Sequence, residues 1–300
     1  MYNKSILFLR ARIIQSIRKF FINRDYLEVE TPVAIPAPAP EASIDAIKTQ
    51  KSFLQTSPEL CMKRLLSSGY EKIFQICKCF RDGERGHLHL PEFTLLEWYR
   101  AEAGYLYLMD ECRDMIKHVV RELDMGDIIE YQGRPVDLSG EWEKVTVEEA
   151  FERFTGTTPE KAIESGDFDE LTVRSIEPGL NNGKPVFLYN YPVSQAALSR
   201  INRDDPGVAE RFELYMGGLE LANAFSELTD ADEQKKRFLK ETENRKKAGK
   251  ILYPFPEKFI SDLEHMPPAA GIAFGIDRFV MLLTNSAEID EVVTFTPERL

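Results

Sequence analysis

Residues 73–99, IFQICKCFRDGERGHLHLPEFTLLEWY, limit the fold more than any other stretch of the chain. In the first part Ile73, Gln75, Cys77 and Cys79 alternate with Phe74, Ile76 and Phe80, the period of a strand with two distinct faces. Arg81 stands where that strand ends. In the second part the same alternation sets Phe93, Leu95, Glu97 and Tyr99 on one face and Thr94, Leu96 and Trp98 on the other. The expectation is an antiparallel hairpin with an aromatic plate, a carboxylate and a phenol in a row on one face. Its connection, residues 82–91, is long, charged and glycine-containing, which suits either a binding loop or a solvated surface hairpin. An arginine at its root can hold a phosphate or carboxylate through two parallel hydrogen bonds.

Around this hairpin, Ile6, Leu9, Ile13, Ile17 and Phe20 predict an amphipathic helix over 5–22 that ends at Asn23. Residues 26–32 read as a strand that Pro32 keeps at an edge or an interface. Residues 34–42, with prolines at 36, 38 and 40, read as a stiff surface loop. Residues 53–56 are strand-like, and Ser57 is a natural N-cap for a helix to about Ser67, with Pro58 at its first position and Glu59 at the positive end. Residues 105–123 have helical periodicity and 186–191 read as a strand. Residues 124–180 are polar and broken by Gly and Pro, with a short helix near 147–154. Residues 232–250 form a charged helix, read as a solvated face that is also the one basic patch open to a macromolecule.

Two more stretches carry chemistry. Residues 212–216 and 219–222 flank Gly217-Gly218, a two-residue hairpin signal. A tight turn there sets Glu213 opposite Ala222 and diagonal to Glu220. Carboxylates so placed repel unless a proton or cation separates them, so Mg2+ held by Glu213 and Glu220 and a solvent-exposed edge hairpin are both open. Asn223, Phe225 and Glu227 have the opposite parity from Glu220, and a β-bulge near Ala222 would bring all of them to one pocket. Further on, Gly271, Ala273 and Gly275 leave one strand face nearly bare, so a ligand can lie against backbone. Arg278 opens the next helix, where its cation opposes the helix dipole and an anion in front would relieve the conflict.

The formal net charge of −12 argues against broad affinity for nucleic acid, and tRNA binding would need a local patch. The four cysteines, at 61, 77, 79 and 112, lack a disulfide framework and suit a reducing, cytoplasmic setting. Cys77-x-Cys79 lacks the spacing of a zinc site. No apolar run approaches a membrane span and no signal peptide is apparent.

The central hairpin closely resembles motif 2 of the class II aminoacyl-tRNA synthetases through Phe80-Arg81 and His89-Leu90-Pro91-Glu92-Phe93-Thr94 with Glu97 and Tyr99. The first helix, strand and Pro32 resemble motif 1, and residues 271–278 resemble motif 3. The resemblance runs from about Ser5 to Leu300 and is strongest to the lysyl-tRNA synthetases and to their short relatives, the elongation factor P lysine ligases. It implies an α+β fold with a central antiparallel sheet flanked by helices. It also implies a single catalytic domain over 1–300 with a variable insertion at about 124–180 and no OB anticodon-binding domain. It further implies a homodimer, with ATP and Mg2+ as cofactors.

By the same resemblance Arg81 and Arg278 are catalytic. ATP is met by Arg81, Asp82, Gly83, Glu84, His89, Leu90, Phe93, Glu220, Leu221, Gly275 and Arg278. Mg2+ falls to Glu213 and Glu220. A lysine pocket is formed by Ser57, Pro58, Glu59, Glu97, Tyr99, Asn223, Phe225, Glu227 and Ala273. The implied reaction activates lysine and transfers it to a lysine of elongation factor P. Ala273 stands where lysyl-tRNA synthetases have glycine, and its methyl would crowd an α-amino group, which favours (R)-β-lysine. Leu90 and Gly83 replace an asparagine and a glutamate of the ATP loop, and Ala224 replaces a glycine. Charging of tRNA by a freestanding enzyme, a non-catalytic regulatory subunit and a small-molecule ligase stay open at this point.

Overall fold

A computed structural model describes residues 4–300; residues 1–3 of the expected domain lie outside the described residues. Helix α1 (Lys4–Ile22) ends in a turn that places Asp25 at φ 61°. Strand β1 (Leu27–Glu28) follows and pairs in parallel at the sheet edge, where Pro32 was expected to hold it. The 34–42 loop is not wholly irregular. Ala34–Ile35 (β2) pairs with Phe53–Leu54 (β3) in a small ribbon that buries Ile35 and Phe53.

After α2 (Glu59–Ser67) the expected hairpin forms as β4 (Lys72–Phe80) and β5 (Glu92–Ala101), with Phe80 opposite Glu92. Helix α3 (Tyr105–Glu122) then crosses the back of the sheet. The region from 124 to 180 is more ordered than its composition suggested. Strands β6 (Ile128–Tyr131) and β7 (Arg134–Asp137) form a hairpin through Gln132-Gly133, both at positive φ. Strand β8 (Glu143–Thr146) joins the far edge of the main sheet, so the stretch expected as insertion supplies part of the scaffold. Four short helices follow: α4 (Val147–Thr155), begun by a Thr146/Glu149 capping box, α5 (Pro159–Ser165), α6 (Phe168–Leu171) and α7 (Glu177–Leu180).

Strand β9 (Val186–Pro192) leads to the second chemical hairpin, β10 (Val208–Met216) and β11 (Leu219–Ser226). Gly217 and Gly218 both take positive φ, the conformation this two-residue turn requires. Helix α8 (Ala231–Lys247), capped by Asp230, replaces the expected 232–250 span. It is not a uniformly solvated face. Arg245 is buried and donates to the carbonyls of Glu41, Ile44 and Ile251, while Lys235, Lys236 and Lys240 remain exposed. The chain closes with α9 (Glu257–Leu263), β12 (Ala269–Gly275) and α10 (Ile276–Thr284).

The eight-stranded sheet runs β1-β4-β5-β12-β11-β10-β9-β8, antiparallel except for a parallel pair at each edge. Its back face buries Phe74, Leu96, Trp98, Ile272, Phe274 and Phe212 against α1, α3 and α10. Losing a fully buried aromatic such as Trp98 from such a layer costs ~3–5 kcal/mol. Among the described residues no helix is long and apolar enough to cross a membrane.

Candidate active site

The front face of the sheet is read most simply in rows across the strands. Gln75, Glu97, Ala273, Asn223 and Glu213 face one another in register on β4, β5, β12, β11 and β10. One step along the strands the row is Ile73, Tyr99, Gly271, Phe225 and Arg211. Side chains from five strands therefore share one surface, because antiparallel register aligns residues of equal parity.

The β10–β11 hairpin departs from the ideal register. Tyr215 pairs with Glu220 and Leu214 with Ala222, which leaves Leu221 as an extra, unpaired residue. The bulge lies one residue before the expected place, and it moves Glu213 from opposite Ala222 to opposite Asn223. Its consequence is the expected one: Glu220, Asn223 and Phe225 face the same side.

A cavity of about 280 Å³ opens on this face. Ser57, Glu59, Glu97, Tyr99, Asn223, Phe225, Glu227 and Ala273 line one end. Arg81, Glu84, His89, Leu90, Phe93, Glu220, Leu221, Gly275 and Arg278 line the rest. Pro58, Asp82 and Gly83 do not line it; Glu213 lines an adjoining cavity of about 270 Å³ together with Glu220.

The first end is buried and acidic. Ser57 Oγ accepts from the Glu59 N–H at 3.0 Å and donates to Glu97 Oε1 at 2.6 Å, while the Tyr99 hydroxyl donates to Glu97 Oε2 at 2.9 Å. Burial, and then the charge of Glu59, push the Glu97 carboxyl up to about 7. Glu227, just past β11, is anchored by its N–H to the Ala269 carbonyl, and burial pushes its carboxyl up to about 8. Glu227 Oε2 lies 2.5 Å from Lys63 Nζ, and Oε1 has no hydrogen-bond partner. Gly271 is needed here for space: a Cβ would overlap the Tyr99 ring and the Glu227 carboxylate, so the bare backbone makes room for the pocket wall itself. Sequence reasoning missed two contributors. Glu41 lines the cavity, and burial followed by the charge of Glu59 raises it to about 7. Lys63, one turn after Glu59, is 1% exposed and reaches both Glu59 and Glu227.

The other end is cationic and more open. Arg81 keeps a buried Nε with no partner and only a 3.8 Å approach to Glu84, with its guanidinium 5.0 Å from the Phe93 ring centre. Arg278 donates to the Glu220 carbonyl at 2.8 Å and to its carboxylate at 3.1 Å. It also donates to His89 Nε2 at 2.6 Å. Burial and the adjacent cation hold His89 below its ordinary pKa, as a neutral acceptor. Asp277 fastens this helix start, accepting from the Thr94 N–H at 2.7 Å and pairing with Arg10 of α1 at 2.6 Å. Burial, and then repulsion from Glu213, raise the Glu220 carboxyl.

Known proteins match nearly all of this chain. The family described as tRNA synthetases class II (D, K and N) matches residues 2–299. An elongation factor P--(R)-beta-lysine ligase of Pectobacterium carotovorum subsp. carotovorum (strain PC1) is 39% identical, with 97% of this chain and 94% of that protein covered. One from Pectobacterium atrosepticum is 37% identical over the same shares, 97% and 94%. A lysine--tRNA ligase of Magnetococcus marinus is 36% identical across 95% of this chain but only 62% of its own length. The motif 2 hairpin, the motif 3 strand and helix, and a family match from end to end lead to one conclusion: the chain belongs to the class II tRNA synthetases of the D, K and N group.

Proposed function

We propose that this protein is an ATP-dependent ligase that activates lysine, by preference (R)-β-lysine, as an aminoacyl adenylate and transfers it to the ε-amine of a lysine on elongation factor P. The observation that carries the reading is Glu227: a carboxylate 1% exposed, lining the cavity, with Oε2 paired to Lys63 and Oε1 free of hydrogen bonds. A buried carboxylate oxygen left without a hydrogen bond is costly unless a further donor arrives, and an ammonium group is such a donor. The relatives named elongation factor P--(R)-beta-lysine ligase are also covered by this chain at 94% of their length, against 62% for the lysine--tRNA ligase cited.

In the reaction the substrate carboxylate attacks the α-phosphate and pyrophosphate leaves; the acceptor amine then forms the amide and AMP leaves. Catalysis of this kind needs positioning and charge neutralisation rather than a nucleophilic side chain. The partnerless Arg81 Nε suits the carboxylate and α-phosphate, and Arg278 suits a terminal phosphate that would replace Glu220 as its anionic partner. Phe93 offers the face for adenine. Glu59, Glu97, Tyr99, Asn223 and Glu227 surround the lysine ammonium groups.

Class II synthetases use ATP and Mg2+ in general. The donor set here fits an ion that arrives with nucleotide: Glu213 and Glu220 share a face, and among the described residues no group of three or more His, Cys, Asp or Glu forms a cage. Mg2+ commonly takes one or two carboxylates and completes its shell with water and phosphate. When bound it would neutralise phosphate charge; the two glutamates would hold it.

The reading includes a homodimer through α1 and β1, supported by exposed Phe8, Ile22 and Leu27 there. It treats residues 1–300 as one catalytic domain that works without binding tRNA, in keeping with the net charge of −12. The test is ATP–pyrophosphate exchange with α-lysine, (R)-β-lysine and other amino acids, followed by intact mass of elongation factor P incubated with enzyme, ATP and the lysine isomer. Exchange with a lysine isomer and the matching mass gain are expected. Exchange with no mass gain would transfer the reading to tRNA or another acceptor, and no exchange would end the ligase reading.

A further inference from the structure

A cation stands behind the lysine end of the cavity, in contact with two of the carboxylates that line it. Lys63 Nζ lies 2.5 Å from Glu59 Oε1 and 2.5 Å from Glu227 Oε2, and the side chain is 1% exposed. An i,i+4 Glu–Lys pair on a helix ordinarily lies on a solvated surface and contributes little. This one points inward, and its second partner comes from the far side of the pocket.

We infer that Lys63 is a positioning residue for substrate selection, a built-in counter-ion that favours the ionised form of Glu227 and aims it, so that the ionised pocket presents two uncompensated negative charges. The count is of the carboxylates that interact with Glu227 and Lys63; Glu41, which also lines the cavity, faces Glu59 and the Arg81 cation instead. Glu59, Glu97 and Glu227 carry three negative charges when ionised and Lys63 one positive, which leaves two. Two is the number of ammonium groups on lysine or β-lysine, whose carboxylate is left to Arg81. The groups facing Glu227 are Lys63 and Glu59 from α2, and Glu97 and Tyr99 from β5. Only Lys63 among these favours its charged form; the burial and the two carboxylates oppose it. Without Lys63, Glu227 would keep its proton to still higher pH, and a neutral carboxyl holds an ammonium poorly.

The inference rests on the lysine-activating reading, and the experiment separates the two. ATP–pyrophosphate exchange is followed in the unchanged protein and in Lys63→Met across pH. The unchanged protein must exchange with a lysine isomer; if it does not, that reading fails and this inference with it. In Lys63→Met the KM for lysine should rise at least ~10-fold at pH 7 with the KM for ATP nearly unchanged, and the acid limb of kcat/KM for lysine should move up by about one pH unit or more. Lys63→Arg, which retains the cation, should leave the acid limb in place. An acid limb that stays put in Lys63→Met, an equal loss towards lysine and ATP, or tighter lysine binding would each overturn the inference while leaving the ligase reading intact. Lys63→Gln reads the same quantities if Lys63→Met does not fold.

Discussion

The two ends of the cavity are built by opposite means. At the lysine end Glu97, Glu227 and Lys63 are each 1% exposed and stand on a central strand, just past one, or on helix α2. At the nucleotide end Arg81, Glu84 and His89 belong to a strand terminus and its loop, and Arg278 to the first turn of α10. The first end is preformed: its charges are desolvated before any ligand arrives, so a ligand lacking the matching cations leaves them unpaired. The second end holds its cations on exchangeable partners, Glu84 for Arg81 and Glu220 with His89 for Arg278, which phosphates can displace. The loop itself is braced, with Arg85 paired to Asp290 and Glu298 and His87 to Glu288, so displacement need not melt it. Selection of the amino acid and handling of the triphosphate are thus separated along one face of the sheet.

The largest effect that separates the ends is expected from Arg278→Ala. Removing a cation that meets charge developing on phosphate should lower kcat/KM for exchange by ~10²–10³-fold. The loss should be carried by ATP saturation and kcat, with the KM for lysine little moved; a selective loss towards lysine would dissolve the division of labour. Glu227→Gln is the converse probe. It should raise the KM for lysine by ~10–100-fold, the size of a charge-assisted hydrogen bond, with the KM for ATP within about twofold. It also strips Lys63 of one partner, so thermal unfolding measured alongside separates lost binding from lost stability.

Acidity sharpens the contrast further. Glu41, Glu97 and Glu227 are raised to about 7, 7 and 8 from an ordinary value near 4.5. Each binds its proton more tightly folded than unfolded. Their contribution to stability is therefore fully present below about pH 4.5 and is lost as pH rises through about 7 to 8. A bound diammonium ligand prefers the ionised pocket, so the rise in melting temperature produced by lysine should grow from about pH 6 to about pH 8.5. A lysine-induced shift that is flat or falls over that range would contradict the preformed acidic end. The smallest effect is expected from Ala273→Gly, which should relax the preference between (R)-β-lysine and α-lysine by a few-fold, ~1 kcal/mol for one methyl contact. An unchanged preference would leave the isomer choice without a structural cause in this chain.

Much of this site was legible because it rests on short-range periodicity. Strand alternation put Phe93, Leu95, Glu97 and Tyr99 on one face before any partner strand was known, and β5 presents those residues to the cavity. The parity conflict between Glu220 and Asn223 demanded a bulge, and the hairpin has one at Leu221. Other features were invisible. Gln132-Gly133 is a weak turn signal, so the β6–β7 hairpin went unseen, and nothing local announces that β8 will extend the main sheet. Arg245 looked like one more cation on a charged helix, whereas three backbone carbonyls and Asp45 enclose it.

The chain's own order of residues determined which groups lie on a common strand face, where the turns fall and that a carboxylate-rich hairpin and an arginine-bearing helix start exist. Which of these meet was decided by the sheet order, which sets β12 between β5 and β11 and so brings Glu97, Ala273 and Asn223 into one row. The charge state of the pocket was likewise a tertiary outcome. The Glu59–Lys63 spacing can be read from the sequence, but its burial against Glu227 cannot, because desolvation depends on what packs over a group and not on its neighbours along the chain.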